Sequence, residues 1–174
     1  MKKQYKYDNI KRNKEEQMDL SIEIKDYKLN IRSAAIIIHK NKILLHRDLR
    51  TDYHALIGGR VKIGEDSTKT IIREIKEEIG KDINVEEYKT TIENFFNMED
   101  KKYHEIIFVY KVEFKDEKDK EIIDTIKNKE GEEYLKYEWI DLDEVENYDI
   151  RPKTIKKILN EKSFPVHQIN NDIK

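Results

Sequence analysis

Cysteine is absent from this 174-residue chain, and proline and glycine are scarce, at two and five residues. Without cysteine there is no disulfide framework and no thiolate metal site, so any bound metal must rest on oxygen or imidazole ligands, which favours hard cations. No excess of one charge exists either: Lys plus Arg number 35 and Asp plus Glu 37, a net charge of -2. That balance gives no electrostatic case for a nucleic-acid or membrane partner. Long apolar runs are missing too, none approaching the roughly 20 residues that span a bilayer. The opening stretch MKKQYKYDNIKRNKEE lacks the apolar segment of a signal peptide, so a cytoplasmic location is expected. What remains is one domain's length of chain whose apolar residues are clustered periodically, which argues for a folded core despite a charged fraction of 41%.

Residues 1–18 are polar and aperiodic and read as a flexible lead-in, with a single domain over 19–174. In LSIEIKDYKLNIR the apolar residues alternate on either side of KDYK, which predicts a hairpin. The run Ala35 to Ile38 reads as a central strand, followed after a polar turn by Ile43 to Leu45. A loop marked by Gly58, Gly59 and Gly64 leads to a helix that starts near Ser67, capped by Asp66 or Ser67, and ends at Gly80. DINVEEYKTTIENFF and YHEIIFVYKVEF are strand-like, residues 115–133 form a charged excursion, and YLKYEWIDLDEV returns as a strand and turn. Pro152 is placed at the first turn of a helix running to about Glu161. The elements alternate without βαβ regularity, so a mixed α/β sandwich is expected rather than a doubly wound sheet.

The helix raises the chemical question. In IIREIKEEIG, Glu74, Glu77 and Glu78 stand at i, i+3 and i+4, where helical side chains become neighbours and like charges repel. Ile71, Ile72, Ile75 and Ile79 form an apolar stripe on the wheel, with the glutamates at its edge. Burying the stripe on a sheet would hold the carboxylates at the lip of a cleft. Three anions there would raise one another's pKa values unless a cation lay between them. Mg²⁺ meets that need, preferring carboxylate oxygens and substrate phosphates.

From Gly59, the stretch GRVKIGEDSTKTIIREIKEEIG reads Gly, five residues, Glu65, seven residues, Arg73, Glu74, Ile75, one residue, Glu77, Glu78, one residue, Gly80. It resembles the Nudix box, the signature of the Nudix hydrolases. The flanking strand order and the closing YEWIDLDEV extend the likeness over roughly residues 30–160. Two departures are Lys81, where the family usually has an apolar residue, and Ile57, where it often has proline. Neither removes a ligand.

The resemblance implies an αβα sandwich with a mixed sheet, and hydrolysis of the pyrophosphate linkage of a nucleoside diphosphate joined to another group X, a nucleoside triphosphate or related nucleotide, with Mg²⁺ or Mn²⁺. It implies Glu74, Glu77 and Glu78 as metal ligands, joined by the Gly58 carbonyl, and Glu65 acting on the metal through a water or an intervening group. Arg73 orients the carboxylates, Glu77 takes part in catalysis, and Glu105 is the candidate general base, with Glu93 the second choice. Tyr53, His104 and Arg60 are candidate substrate contacts. Phe95 is a stacking candidate, while Phe96 is assigned to the core. The expected partner is a small-molecule nucleotide, with no membrane or nucleic acid and with room for a homodimer. Two alternatives stand beside this one. A nucleotide sensor without turnover would have no need of its carboxylates, and all are present. An RNA 5′-end pyrophosphohydrolase would need a basic track, for which only the stretch Lys2 to Lys14 is a hint.

Overall fold

A computed structural model describes residues 18–120, 134–160 and 166–173. The expected lead-in up to residue 17, the charged excursion from residue 121 to 133 and the far end of the last helix lie outside them.

The strands are β1 (Ser21–Ile24), β2 (Tyr27–His39), β3 (Lys42–Asp48), β4 (His54–Ala55) and β5 (Ile57–Arg60). Helix α1 (Ser67–Glu78) follows, then β6 (Ile83–Met98), β7 (Lys101–Phe114), β8 (Leu135–Asp141), β9 (Ile150–Arg151), α2 (Thr154–Asn160) and β10 (His167–Asn171). They form one mixed sheet ordered β10-β6-β7-β2-β3-β4-β9, with β1 and β5 also paired to β2 and β8 to β3. The β2/β7, β6/β10 and β4/β9 pairs are parallel and the rest antiparallel. No helix among the described residues is long and apolar enough to cross a membrane.

Local chemistry explains the turns. Two-residue hairpin loops need positive φ at their centre to match strand twist. Lys40 and Asn41 supply it between β2 and β3 (φ 48 and 62), Lys25 between β1 and β2 (φ 56), and Glu99 between β6 and β7 (φ 54). The KDYK hairpin is therefore present, but β2 does not stop there. Its 13 residues run on through the Ala35 to Ile38 segment, so what the sequence suggests as two strands is one.

Helix α1 begins where Asp66 accepts a hydrogen bond from the Lys69 amide at 2.8 Å and ends before Gly80, whose φ is 72°. Ile71, Ile75 and Ile79 are buried. Burying three such side chains stabilises by roughly 5–9 kcal/mol, far more than the few tenths that like-charged neighbours cost on a helix surface. The helix can therefore carry its glutamates. Ile72 departs from the expected stripe and is 41% exposed, at the edge turned from the sheet. Pro152 also departs from expectation, lying two residues ahead of α2 rather than in its first turn.

Two apolar clusters place the sheet between layers. One packs Ile71 and Ile75 of α1, with Ile79 at its C-terminal cap, against Ala35, Ile37, Tyr110, Val112 and Tyr137. The other packs Ile155 and Ile158 of α2 against Ile36, Ile92, Ile107, Val109 and Ile140. The arrangement is an αβα sandwich, as expected.

One buried group sets a pH limit on this core. His46 on β3 has its Nδ1 buried without a partner among the described residues. Burial first, then the Arg32 charge, pushes its pKa down from 6.5 to about 4. The unfolded chain takes up this proton below its ordinary value and the folded chain only near the depressed one, so stability is lost as pH falls through that window. The loss should reach about 3 kcal/mol at the acid end, at roughly 1.4 kcal/mol per pKa unit. Urea unfolding at pH 7 and pH 4.5 is expected to show it, and His46→Gln should flatten the dependence. An equal pH slope in wild type and variant would contradict this role.

Candidate active site

The site is built where α1 passes β5. Gly58 and Gly59 pair with Ala34 and Ser33 of β2, and Gly59 lies under Glu74 of the helix. A methyl group on Gly59 would lie 2.2 Å from Cδ of Glu74, so the carboxylate occupies the space that any other residue's side chain would fill. Asp19, Arg32, Gly59, Arg60 and Glu74 line a recess of about 240 Å³ at this point.

Arg73 answers the charge crowding within the protein itself. Its Nε and one terminal nitrogen donate to the two oxygens of Glu65 at 2.9 and 2.8 Å. The other terminal nitrogen donates to Glu74 at 2.6 Å and to Glu77 at 2.8 Å. A further bond runs to the Arg60 carbonyl at 3.1 Å. The Arg73 guanidinium, by hydrogen bonding, holds the Glu65 carboxyl below its usual range. Glu74 moves the other way: burial pushes its carboxyl up, more than Arg73 draws it down.

The three helix glutamates do not share one environment. Glu74 lies over the glycine and Glu77 is 42% exposed beside Arg73. Glu78 is 8% exposed and accepts from the Tyr137 hydroxyl at 3.3 Å, inside the α1 layer of the core. Among the described residues, no three acidic or histidine side chains converge in a way that would hold a metal ion. The donor set is nonetheless suited to a hard cation: carboxylate oxygens, the Gly58 carbonyl, and a cradle at Gly59 already filled by one of those carboxylates.

Two arginines also line the recess. Arg32 of β2 and Arg60 of β5 are directly opposite in the ladder, where like charges destabilise a strand pair. Arg60 reaches Asp19 at 3.3 Å. Arg32 donates to the Gly58 carbonyl at 3.0 Å and lies 3.7 Å from Glu105. Arg32 is the residue that sequence reasoning misses. Its strand, YKLNIRSAAIIIH, carries Lys28, Asn30 and Ser33 as well, so a further polar residue there gave no distinctive signal.

Glu105 is 5% exposed. Asn30 and Asn94 donate to its two oxygens, each at 3.2 Å. His104 lies on the other face of the sheet, where its ring packs 4.3 Å from that of Phe95. Glu93 is on that face too, 2.8 Å from His167 and 3.9 Å from His104. Neither Glu93 nor His104 lines the recess. Tyr53 sits at the β4 end of the sheet beneath the Arg151 guanidinium, 4.9 Å from ring centre to cation. Phe96 stacks on Tyr103 at 4.8 Å, consistent with a packing role. Of the three candidate substrate contacts, then, only Arg60 lies at the recess.

A family model described as the NUDIX domain matches residues 29–161, which makes this chain a hydrolase of the pyrophosphate-cleaving class. It belongs to the NUDIX family. No curated protein matches the chain. Among solved structures it is similar to a UDP-X diphosphatase, at 25% identity and a TM-score of 0.53 over 75% of this chain and 60% of that one. It is also similar to a NUDIX-family hydrolase from Clostridium perfringens, at 19% identity and a TM-score of 0.55 over 75% of this chain and 96% of that one. A third is the MutT protein of Bacillus halodurans, at 23% identity and a TM-score of 0.53 over 78% and 85%. The UDP-X diphosphatase is covered over less than two thirds of its length.

Proposed function

We propose that the chain cleaves the pyrophosphate linkage of a small nucleotide, a nucleoside diphosphate joined to a further phosphate or another group, with Mg²⁺ or Mn²⁺. The observation that carries this reading is a recess lined by both signs of charge: the nested Glu74 carboxylate and Asp19, with the opposed Arg32 and Arg60. Such a lining suits a cation and a polyphosphate bound together. Glu74 and Glu78, with Glu77, Glu65 and the Gly58 carbonyl, would hold the metal. When bound, the ion neutralises phosphate charge and lowers the pKa of an attacking water.

The chain's own residues divide the remaining work. Arg32 and Arg60 hold phosphate oxygens, for which the guanidinium fork is well shaped. Arg73 keeps Glu65, Glu74 and Glu77 in register through its hydrogen bonds. Glu77, the carboxylate of the three most open to water, takes the proton of the attacking water on Oε1, the oxygen to which Arg73 does not donate. The likeness to a UDP-X diphosphatase supports a nucleoside diphosphate core in the substrate. The even charge balance supports a free nucleotide over an RNA chain.

The test is a panel of nucleoside triphosphates, dinucleoside polyphosphates and nucleotide sugars, assayed for phosphate or pyrophosphate release with Mg²⁺ and with chelator. At least one member is expected to turn over with Mg²⁺ and to stop with chelator. Silence across the panel in Mg²⁺ and Mn²⁺ would count against the reading, as would turnover indifferent to chelation.

A further inference from the structure

A row of polar side chains crosses five adjacent strands on the α2 face of the sheet. Ser21 faces Asn30, Asn30 faces Glu105, Glu105 faces Asn94, and Asn94 faces Asn170. Asn30, Glu105, Asn94 and Asn170 are all buried. Burying polar groups costs free energy unless each is hydrogen-bonded, and here they are bonded to one another. Ser21 donates to the Asn30 carbonyl oxygen at 2.8 Å and Asn170 to that of Asn94 at 2.9 Å. With their carbonyls so occupied, both amides turn their N–H groups inward to the two oxygens of Glu105. Beyond Asn170 the chain of contacts continues to Asp172 at 3.1 Å and from there to Lys153 at 3.3 Å.

This arrangement bears on what Glu105 does. A general base must bring an oxygen within hydrogen-bond reach of the water it deprotonates. Glu105 has both oxygens engaged and almost no exposure, and its outlet toward the recess is the Arg32 guanidinium. Arg32 in turn is held from the other side by the Gly58 carbonyl. We propose that Glu105 is a positioning residue for Arg32: the amide row fixes its carboxylate, and the carboxylate and the Gly58 carbonyl fix the guanidinium so that it presents to a substrate phosphate. The proposal rests on the phosphate-binding reading of the recess given above. It adds that the strand β10, far from the box in sequence, belongs to the device through Asn170.

The experiment uses the full chain and four forms: wild type, Arg32→Ala, Glu105→Gln and the double variant, with Arg32→Lys as a fifth. Binding of inorganic pyrophosphate in Mg²⁺ is measured by titration calorimetry, and kcat and KM on the best nucleotide of the panel are measured against pH. Arg32→Ala is expected to weaken pyrophosphate binding on the order of ten- to a hundred-fold, the range for hydrogen bonds to charged groups. Glu105→Gln should weaken it about five- to twenty-fold, appear in KM more than in kcat, and leave the midpoint of the acid limb of kcat in place. The double variant should be no weaker than Arg32→Ala alone, since residues in one network are not additive. Arg32→Lys, which keeps the charge but cannot span both anchors, should bind within a few-fold of the alanine variant.

A hundred-fold fall in kcat for Glu105→Gln with pyrophosphate binding intact would overturn the proposal in favour of a general base. Additive losses in the double variant would overturn it too, as would full binding by Arg32→Lys, which also decides the matter if Glu105→Gln does not fold. Failure of the catalytic reading is seen separately. It would appear as wild type that binds pyrophosphate and hydrolyses nothing, and in that case the binding arms still judge the row. Wild type that does not bind pyrophosphate would overturn the phosphate contact itself.

Discussion

Glu78→Gln is expected to lower kcat by two to three orders of magnitude while leaving the melting temperature within about 3 °C of wild type. The two halves of that expectation have separate causes. Glutamine has the shape of glutamate, and its amide oxygen can accept the Tyr137 hydroxyl as the carboxylate does at 3.3 Å. The packing against the α1 layer is therefore kept, and a change of up to about 1 kcal/mol moves the melting point of a chain this size by roughly 2–4 °C. What is lost is the negative charge. Glu78 is the helix glutamate most removed from water, at 8% exposure. Removing one ligand of a catalytic cation forfeits several kcal/mol of transition-state stabilisation, and each 1.36 kcal/mol is about tenfold in rate. Steady-state kinetics beside a thermal melt checks both halves. Wild-type turnover in a folded Glu78→Gln protein would remove Glu78 from the machinery.

The parts of this molecule that were legible in the sequence are those set by neighbours along the chain. The cap at Asp66, the stop at Gly80 and the isoleucine stripe are local patterns, and the helix follows them. The box places Arg73 one residue from Glu74 and four from Glu77, so helical geometry alone brings them together. Arg32 was not legible in the same way, because its partners are 26 and 73 positions away and become neighbours only through the β2/β5 and β2/β7 pairings. The same holds for Asn30 and Glu105, 75 apart. In a strand such as NIRSAAIII, alternating polar residues read as a solvent face, and nothing local reveals that another strand will bury them.

One separation between candidate residues was legible in the sequence. Consecutive strand residues point to opposite faces, so His104 and Glu105 lie on opposite faces of the sheet. Strand β10 gave no signal, since HQINN has one apolar residue and pairs with β6 through backbone bonds that any residues can make. The sequence also posed the charge crowding correctly and pointed to a metal as its relief. In the structure the relief among Glu65, Glu74 and Glu77 is first of all Arg73, a cation the chain supplies itself.

The glycine pair should separate fold from chemistry at adjacent positions. Gly58 has φ 151°, and a methyl group there would lie 2.1 Å from the Ser33 carbonyl oxygen and 2.8 Å from the Ala34 Cα. Both are backbone atoms of the central strand, so Gly58→Ala must push β5 away from β2 and disturb the carbonyl that anchors Arg32. A loss of about 3–5 kcal/mol is expected, in the range of severe core and backbone lesions, with a melting point lower by roughly 10 °C or more. Gly59→Ala meets something different. Its methyl group collides with Cδ and both oxygens of Glu74, the far end of a flexible side chain that can swing aside. Stability should fall by only about 1 kcal/mol, but the carboxylate leaves its place over the recess. A displacement of about an ångström at a reacting site can cost a hundred-fold, so kcat is expected to drop ten- to a hundred-fold in a protein that still melts near wild type. If Gly59→Ala keeps full turnover, the nested position of Glu74 has no catalytic meaning. If it unfolds like Gly58→Ala, the side chain is not free to yield.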